Sequence, residues 1–210
     1  MYGDVMTQPR PHLVLASASP ARRRSLQAAG IHAEVRPSDV DESIVDHPDP
    51  DALCAELARR KAQAVTGEFR DEVAEAQVLV LGCDSVLAFA GEVLGKPADA
   101  AEATARWKRM RGGRGVLHTG HALVDVGSGR TAEAVAAATV HFAQVSDAEI
   151  DAYVATGEPL AVAGAFTIDG MGGPFVERVE GDPGTVIGLS LPLLRHLLAD
   201  LGVPITSLWR

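Results

Sequence analysis

A run of hydroxyls and arginines, Ser17–Arg24, follows the first apolar segment of the chain. Ser19 and Pro20 are typical of the N-cap and first position of a helix, where backbone N–H groups lack internal partners and the helix dipole is positive. Such an end binds phosphate, and Arg22 with its two arginine neighbours adds guanidiniums suited to bidentate phosphate contacts. These residues alone leave two interpretations open, a phosphate site and a capped helix with solvated arginines. The segment has neither a GxxxxGK[ST] nor a GxGxxG pattern.

A single aspartate, Asp84, interrupts the apolar run LVLGCDSVLAF. A buried carboxylate is costly unless it is paired, hydrogen-bonded or bound to a metal ion, so its position favours a chemical role. A structural aspartate that caps the backbone near Gly82 is the alternative.

Two lysines and an acidic loop are further candidates. Lys96, in LGKPAD, is held at an element boundary, and Lys61 belongs to a helical segment, LARRKAQAV. A solvated side chain is the default expectation for both. Asp39, Asp41 and Glu42 form an acidic loop that is most simply a solvated turn, although its oxygens would suit Mg²⁺.

The histidines and cysteines do not indicate a zinc site. His118 and His121 are three residues apart in a predicted strand, which places their side chains on opposite faces. Cys54 and Cys83 belong to no CxxC pair, so reduced thiols in a cytosolic protein are expected.

Alternating apolar segments and helix signals predict a mixed α/β sheet. Strands are predicted at 12–16, 33–36, 77–89, 92–94, 116–126, 134–144 and 174–179, and helices at 19–29, from Asp51, and at 99–110, 146–156 and 191–201. The turn at Ala90-Gly91 and the pair of strands around 127–129 predict antiparallel hairpins, so the sheet is not purely parallel. The rest of 163–184 is glycine-rich and reads as a loop.

Composition limits the class of partner. The 210 residues are 47% hydrophobic and carry a net charge of −9. An acidic protein repels a long polyanion, so a long nucleic acid is a poor candidate, whereas a small phosphate compound can be held by a local basic cluster. We expect no secretory signal and no membrane span, because the apolar runs are too short.

The order of the motifs along the chain resembles that of a known protein family. The chain contains, in sequence, LASASPARRRSL, SDVDES, LARRKAQAV, VLVLGCDSVLAFAGEVLGKPADAAEA and AEIDAYVATGEPLAVAGAFTIDGMGGPFVERVEGDPGTVIGLSLPLL. This series resembles the Maf family of nucleoside triphosphate pyrophosphatases from Leu13 to Leu201, nearly the whole chain.

The resemblance implies a fold and a reaction. The fold is an elongated mixed α/β sheet in two lobes around a cleft, similar to that of inosine triphosphate pyrophosphatases, with a flexible tail at 1–11 and a single two-lobed domain at 12–210. The reaction is hydrolysis of a nucleoside triphosphate between its α- and β-phosphates, which yields a monophosphate and pyrophosphate. A divalent cation (Mg²⁺ or Mn²⁺), a cytoplasmic location and often a homodimer are also implied.

Roles carried over from the family fall on matching positions. The expected catalytic residues are Asp84, as proton acceptor, with Lys61 and Lys96; the substrate-binding residues are Ser17, Ser19, Ala21, Arg22, Ser85 and Asp169; and the metal ligands are Glu42 and Asp84.

Three of these positions depart from the family's subgroups. Ala21, Ser85 and Asp169 match neither the pattern for dTTP and UTP nor that for 7-methyl-GTP. A carboxylate only accepts hydrogen bonds, so Asp169 favours a base edge with N–H donors, such as that of guanine or cytosine. A kinase or nucleotidyltransferase would need a P-loop or a paired-aspartate motif, which the sequence lacks. A non-catalytic regulator of cell division that binds nucleotides or proteins stays open.

Overall fold

The computed structural model describes residues 10–45, 47–69 and 77–210, and most of the predicted N-terminal tail (1–9) lies outside them. Seven strands are described: β1 (His12–Leu15), β2 (Glu34–Val35), β3 (Val78–Phe89), β4 (Glu92–Leu94), β5 (Arg114–Asp125), β6 (Thr131–Phe142) and β7 (Val176–Glu180). The α-helices are α1 (Pro20–Ala28), α2 (Pro50–Thr66), α3 (Ala100–Met110), α4 (Asp147–Ala155), α5 (Pro183–Ile187) and α6 (Leu191–Asp200).

Every predicted strand and helix forms, and the mixed sheet is confirmed. The predicted cap of α1 is present, since the Ser19 side chain accepts the backbone N–H of Arg22. Helix α4 also begins with a capping box, formed by Ser146 and Glu149. The glycine-rich loop is only partly right, because Ala163–Ala165 and Gly173–Phe175 are 3-10 turns. Helix α5 is missed because five residues are too few to show a helical period.

The sheet is continuous along one side of β3 and interrupted along the other. Its order is β2-β1-β3-β5-β6-β7, with β1 parallel to its two neighbours and the remaining pairs antiparallel. Strand β5 pairs with β3 from Leu79 to Ala88. On the opposite side, β1 pairs with β3 only as far as Leu81, and β4 pairs only from Leu87. A notch is therefore left in the sheet beside residues 83–86.

Helix α2 lies unusually close to the sheet at two glycines. A Cβ atom on Gly82 would stand 2.1 Å from the Ala58 carbonyl oxygen, and one on Gly120 would stand 2.2 Å from the Cys54 carbonyl oxygen. Only hydrogen fits at both positions, so the α2 backbone rests directly on β3 and β5.

Apolar side chains form clusters at the two ends of the long strands. One end is packed by α1, α2 and α6, with Leu81, Leu26 and Leu197 among its members. The other end is packed by α3 and α4 around Trp107, whose ring makes edge contacts with Phe142 and other aromatic rings. The notch lies between the clusters and corresponds to the predicted cleft, whereas the division of 12–210 into two lobes stays a prediction. In the described residues, no helix is both long and apolar enough to cross a membrane.

His118 and His121 point in different directions, as their spacing predicts. His118 Nδ1 meets Asp51 Oδ1 at 2.6 Å on the α2 side. His121 is buried; its Nδ1 lies 3.0 Å from the Thr119 carbonyl, and its Nε2 accepts the backbone N–H of Ser190, the N-cap of α6. Because a carbonyl only accepts and an N–H only donates, His121 is the neutral tautomer with its proton on Nδ1.

Replacing Gly82 with alanine should destabilise the fold by about 2 kcal/mol or more, because the added methyl forces α2 away from β3. Urea unfolding measures the change. Gly67→Ala is the matched control, since a Cβ there meets nothing within 4 Å. Equal stability of the two variants would contradict the close contact.

Acid should destabilise the protein through His121. Burial lowers the pKa of His121 to about 4, and the positive charge of Arg22 acts in the same direction. The unfolded chain, with a histidine pKa of about 6.5, then binds more protons between pH 6.5 and 4, so the free energy of unfolding falls as pH drops through this window, by about 3 kcal/mol in total. Urea midpoints at several pH values should show a shallower decline in His121→Gln. The exposed His196→Gln serves as control and should keep the wild-type slope; an unchanged slope in His121→Gln would refute the assignment.

Candidate active site

A cavity of about 820 Å³ fills the notch beside β3. Elements distant in sequence meet there: the start of α1, the middle of α2, β3, the segment after β4 and the loops around α4 and α5. All the site residues predicted from the sequence lie on its wall, namely Ser17, Ser19, Ala21, Arg22, Glu42, Lys61, Asp84, Ser85, Lys96 and Asp169.

The start of α1 is built from two serines. Ser19 Oγ accepts the backbone N–H of Arg22, and Ser17 Oγ accepts the backbone N–H of Ser19 at 3.2 Å. Ser17 Oγ also accepts from Arg22 Nη1 at 3.0 Å. With two hydrogen bonds accepted, the Ser17 hydroxyl keeps its own proton for a ligand in the cavity.

Arg22 is buried, so the solvated-arginine interpretation is wrong for this residue. Its Nε donates to the Gly188 carbonyl at 2.8 Å, and its Nη2 donates to Ser85 Oγ at 3.2 Å. Together with the bond to Ser17, three of the five guanidinium N–H groups are used within the described protein. One N–H remains on each terminal nitrogen, at the cavity wall.

Lys61 lies between two carboxylates. Its Nζ is 2.5 Å from Asp84 Oδ1 and 2.6 Å from Glu42 Oε1. The expected solvated position of Lys61 is wrong, because the close approach of α2 at Gly82 buries this face of the helix against β3. The alternative for Asp84, a backbone cap near Gly82, is not what the structure has, since the hydrogen-bond partner of its carboxylate is Lys61.

Burial and neighbouring charge act in opposite directions on these acids. Burial raises the pKa of Asp84 above the ordinary aspartate value, although the charges of Lys61 and Arg22 oppose it. For Glu42, partial burial is outweighed by the Lys61 hydrogen bond and by the charges of Lys61 and Lys96, so the pKa falls below its usual value. Glu42 is therefore firmly ionised, whereas Asp84 is poised to accept a proton more readily than a surface aspartate.

Lys96 differs from the other cations of the cavity. No hydrogen bond or ion pair engages it within 10–45, 47–69 and 77–210, although its charge is felt by Glu42. Its ammonium is consequently available to an anionic ligand.

The donor set for a metal ion consists of carboxylate oxygens. In the described part of the chain, no group of three histidine, cysteine, aspartate or glutamate side chains is placed to hold a metal ion. Asp84 and Glu42 nevertheless both lie within 2.6 Å of one nitrogen, so the two can share one cation. Mg²⁺ is commonly held by one or two carboxylates plus substrate phosphates, and this pair fits that pattern.

One wall of the cavity carries an ion pair that spacing did not predict. Arg24 Nη2 lies 3.0 Å from Asp169 Oδ2, which links α1 to the loop after Phe166. Arg24 is about one turn beyond Ala21, so its guanidinium lies on the same side of α1 as Ala21.

Sequence reasoning also missed Glu158, which shapes that loop. Its carboxylate accepts from Tyr153 Oη, Thr167 Oγ1 and the backbone N–H groups of Met171 and Gly172. These four bonds fold the segment that carries Asp169. The only sequence signal for Glu158 is its place in the run TGEP, shortly before the glycine-rich segment. The spacing of residues does not predict which groups its carboxylate binds.

Comparison with known proteins agrees with this architecture. A family model described as Maf-like protein matches residues 12–201. A nucleoside triphosphate pyrophosphatase of Salinispora tropica is 68% identical over 197 residues, covering 94% of this chain and 87% of that protein. Proteins of the same name from Streptomyces coelicolor and Synechococcus elongatus are each 57% identical; they match 96% and 98% of this chain over 96% and 100% of their own lengths.

The motif order, the mixed sheet with its notch, and these matches along nearly the whole chain lead to one conclusion: the protein belongs to the Maf family.

Proposed function

We propose that the protein hydrolyses a nucleoside triphosphate between its α- and β-phosphates, releasing a nucleoside monophosphate and pyrophosphate. The observation that carries this proposal is the cavity in which a buried aspartate–lysine pair faces a helix N-terminus and two further cations. The relatives named nucleoside triphosphate pyrophosphatase support it.

The phosphate chain is held at the start of α1. The backbone N–H groups there, the Ser17 hydroxyl and the two remaining N–H groups of Arg22 donate to phosphate oxygens. Lys96, which is free of internal partners among the described residues, adds charge that balances the growing negative charge of the leaving pyrophosphate.

Asp84 accepts the proton of the attacking water. The water oxygen forms a bond to the α-phosphorus. The oxygen that bridges the α- and β-phosphates leaves as part of pyrophosphate with the electron pair of the broken P–O bond, and the water proton passes to Asp84. Burial favours this proton uptake, while Lys61 keeps the carboxylate ionised beforehand and orients it through Oδ1.

A divalent cation, Mg²⁺ or Mn²⁺, is part of the proposal. Asp84 and Glu42 would hold it together with phosphate oxygens, and when bound it would polarise the phosphoryl group. Lys61 lies between the two carboxylates; it would then keep its hydrogen bond to Asp84 Oδ1 and give up its contact with Glu42 to the cation.

The base is selected away from dTTP and UTP. Asp169, which Arg24 holds in place, offers only acceptors, so it favours a base with an exocyclic amino group, as in guanine or cytosine. Uracil and thymine offer a single N–H between two carbonyl acceptors. A non-catalytic regulator of cell division would not need the buried Asp84–Lys61 pair, so the enzymatic role is favoured. The homodimer and the cytoplasmic location stay predictions.

Asp84→Asn should lower the rate of pyrophosphate release by at least about a hundredfold with Mg²⁺ or Mn²⁺, because the amide cannot take up the proton. The measurement is pyrophosphate release over a panel of common and methylated triphosphates. Asp151→Asn, an exposed aspartate on α4, is the control and should retain the wild-type rate. A wild-type rate in Asp84→Asn, with an unchanged melting temperature, would show that the base is wrongly assigned.

Asp169→Gln should move the preference of kcat/KM toward dTTP and UTP, since an amide both donates and accepts. The same panel of triphosphates measures the shift. If the wild type strongly prefers dTTP or UTP and Asp169→Gln has the same preference, then Asp169 does not select the base.

A further inference from the structure

Thr119 lies directly opposite Ser85 in the β3–β5 ladder. The two hydroxyl oxygens are 2.9 Å apart, and Thr119 is fully buried. Ser85 follows Asp84, so its side chain leaves β3 on the other face, toward α1 and Arg22. Thr119 does not line the cavity, but it contacts Ser85, which lines the cavity beside Arg22.

Counting protons fixes the direction of every hydrogen bond in this group. Thr119 Oγ1 lies 2.8 Å from the Thr185 carbonyl oxygen, which can only accept, so the single proton of Thr119 points there. Ser85 must then donate its own proton to Thr119 Oγ1. Ser85 Oγ is left as an acceptor, which is what the N–H of Arg22 Nη2 requires.

The hydroxyl relay, Arg22 to Ser85 to Thr119 to the Thr185 carbonyl, therefore runs one way. Its far end lies in α5, and the residue that follows this helix, Gly188, accepts the Nε of the same arginine. Arg22 is held at two points of one short element, directly through Gly188 and indirectly through Ser85 and Thr119.

We propose that Thr119 is a positioning residue for nucleotide hydrolysis: it orients Ser85 as a pure acceptor, and so aims the Arg22 guanidinium at the phosphate chain. The proposal rests on the function proposed above. Ser85 has no proton left to donate to a nucleotide, so it acts through Arg22.

The test compares Thr119→Val with Thr119→Ser. Valine keeps the shape but removes the hydroxyl, which leaves Ser85 without an acceptor and frees it to turn away from Arg22. We expect the KM for the preferred triphosphate, and the inhibition constant of inorganic tripolyphosphate, to rise about tenfold with a smaller change in kcat, as for the loss of one hydrogen bond to a charged group. Serine restores the hydroxyl and should stay within about threefold of the wild type.

Thr139→Val is the control. Thr139 is a strand threonine of β6 that lies outside the relay and outside the cavity wall. This variant should keep the wild-type KM, which separates loss of the relay from a threonine-to-valine change elsewhere in the sheet.

A second arm measures coupling to Arg22. In an Arg22→Met background, Thr119→Val should add no further loss, because there is no guanidinium left to orient. The same fold-change in both backgrounds would mean that Thr119 only supports the fold, and the proposal would fail. A wild-type KM in Thr119→Val, or equal losses in the serine and valine variants, would also overturn it.

Folding is controlled by melting temperature and by Ser85→Ala. If Thr119→Val does not fold, Ser85→Ala takes its place in the test. This variant removes the hydroxyl that accepts from Arg22 Nη2 but leaves the hydrogen bond from Thr119 to the Thr185 carbonyl, and it should show the same rise in KM. A wild-type KM in Ser85→Ala then refutes the relay. Should the wild-type protein release no pyrophosphate from any triphosphate, the proposed function itself fails, and calorimetric binding of tripolyphosphate to wild type and Thr119→Val still tests the positioning.

Discussion

The contact between Lys61 and Asp84 is the interaction on which the site depends. A carboxylate in the middle of a buried strand is tolerated only with a compensating charge, and Lys61 reaches it because α2 lies directly on the sheet. The same lysine holds Glu42, which joins the acidic loop before α2 to the strand. Removing the lysine would leave one carboxylate buried and unpaired and would release the other.

Much of this arrangement was predictable from the chain because the signals are local. Proline and serine mark the start of α1, an apolar run marks β3, and an aspartate within that run stands out against its neighbours. The ordered motifs of the family added the lysines and the loop residues. Each of these signals is contained in a few consecutive residues.

The rest was not predictable because it depends on register and packing between distant segments. Nothing in the spacing of the chain pairs Ser85 with Thr119; the alignment of β3 with β5 does. The burial of Lys61 follows from two glycines on neighbouring strands whose role appears only when α2 is seated. The ties of Glu158 to residues 167–172 and the pair of Arg24 with Asp169 likewise join segments that sequence reasoning treats separately.

The notch beside residues 83–86 has a consequence for solubility. An unpaired strand edge is a template on which other chains can add strands, and proteins protect such edges by keeping them short and by placing charges along them. Here β1 and β4 cover β3 on both sides of the notch, so only a few residues remain open, and Asp84 lies among them. The protein can therefore keep a gap in the interior of its sheet without offering a surface for aggregation.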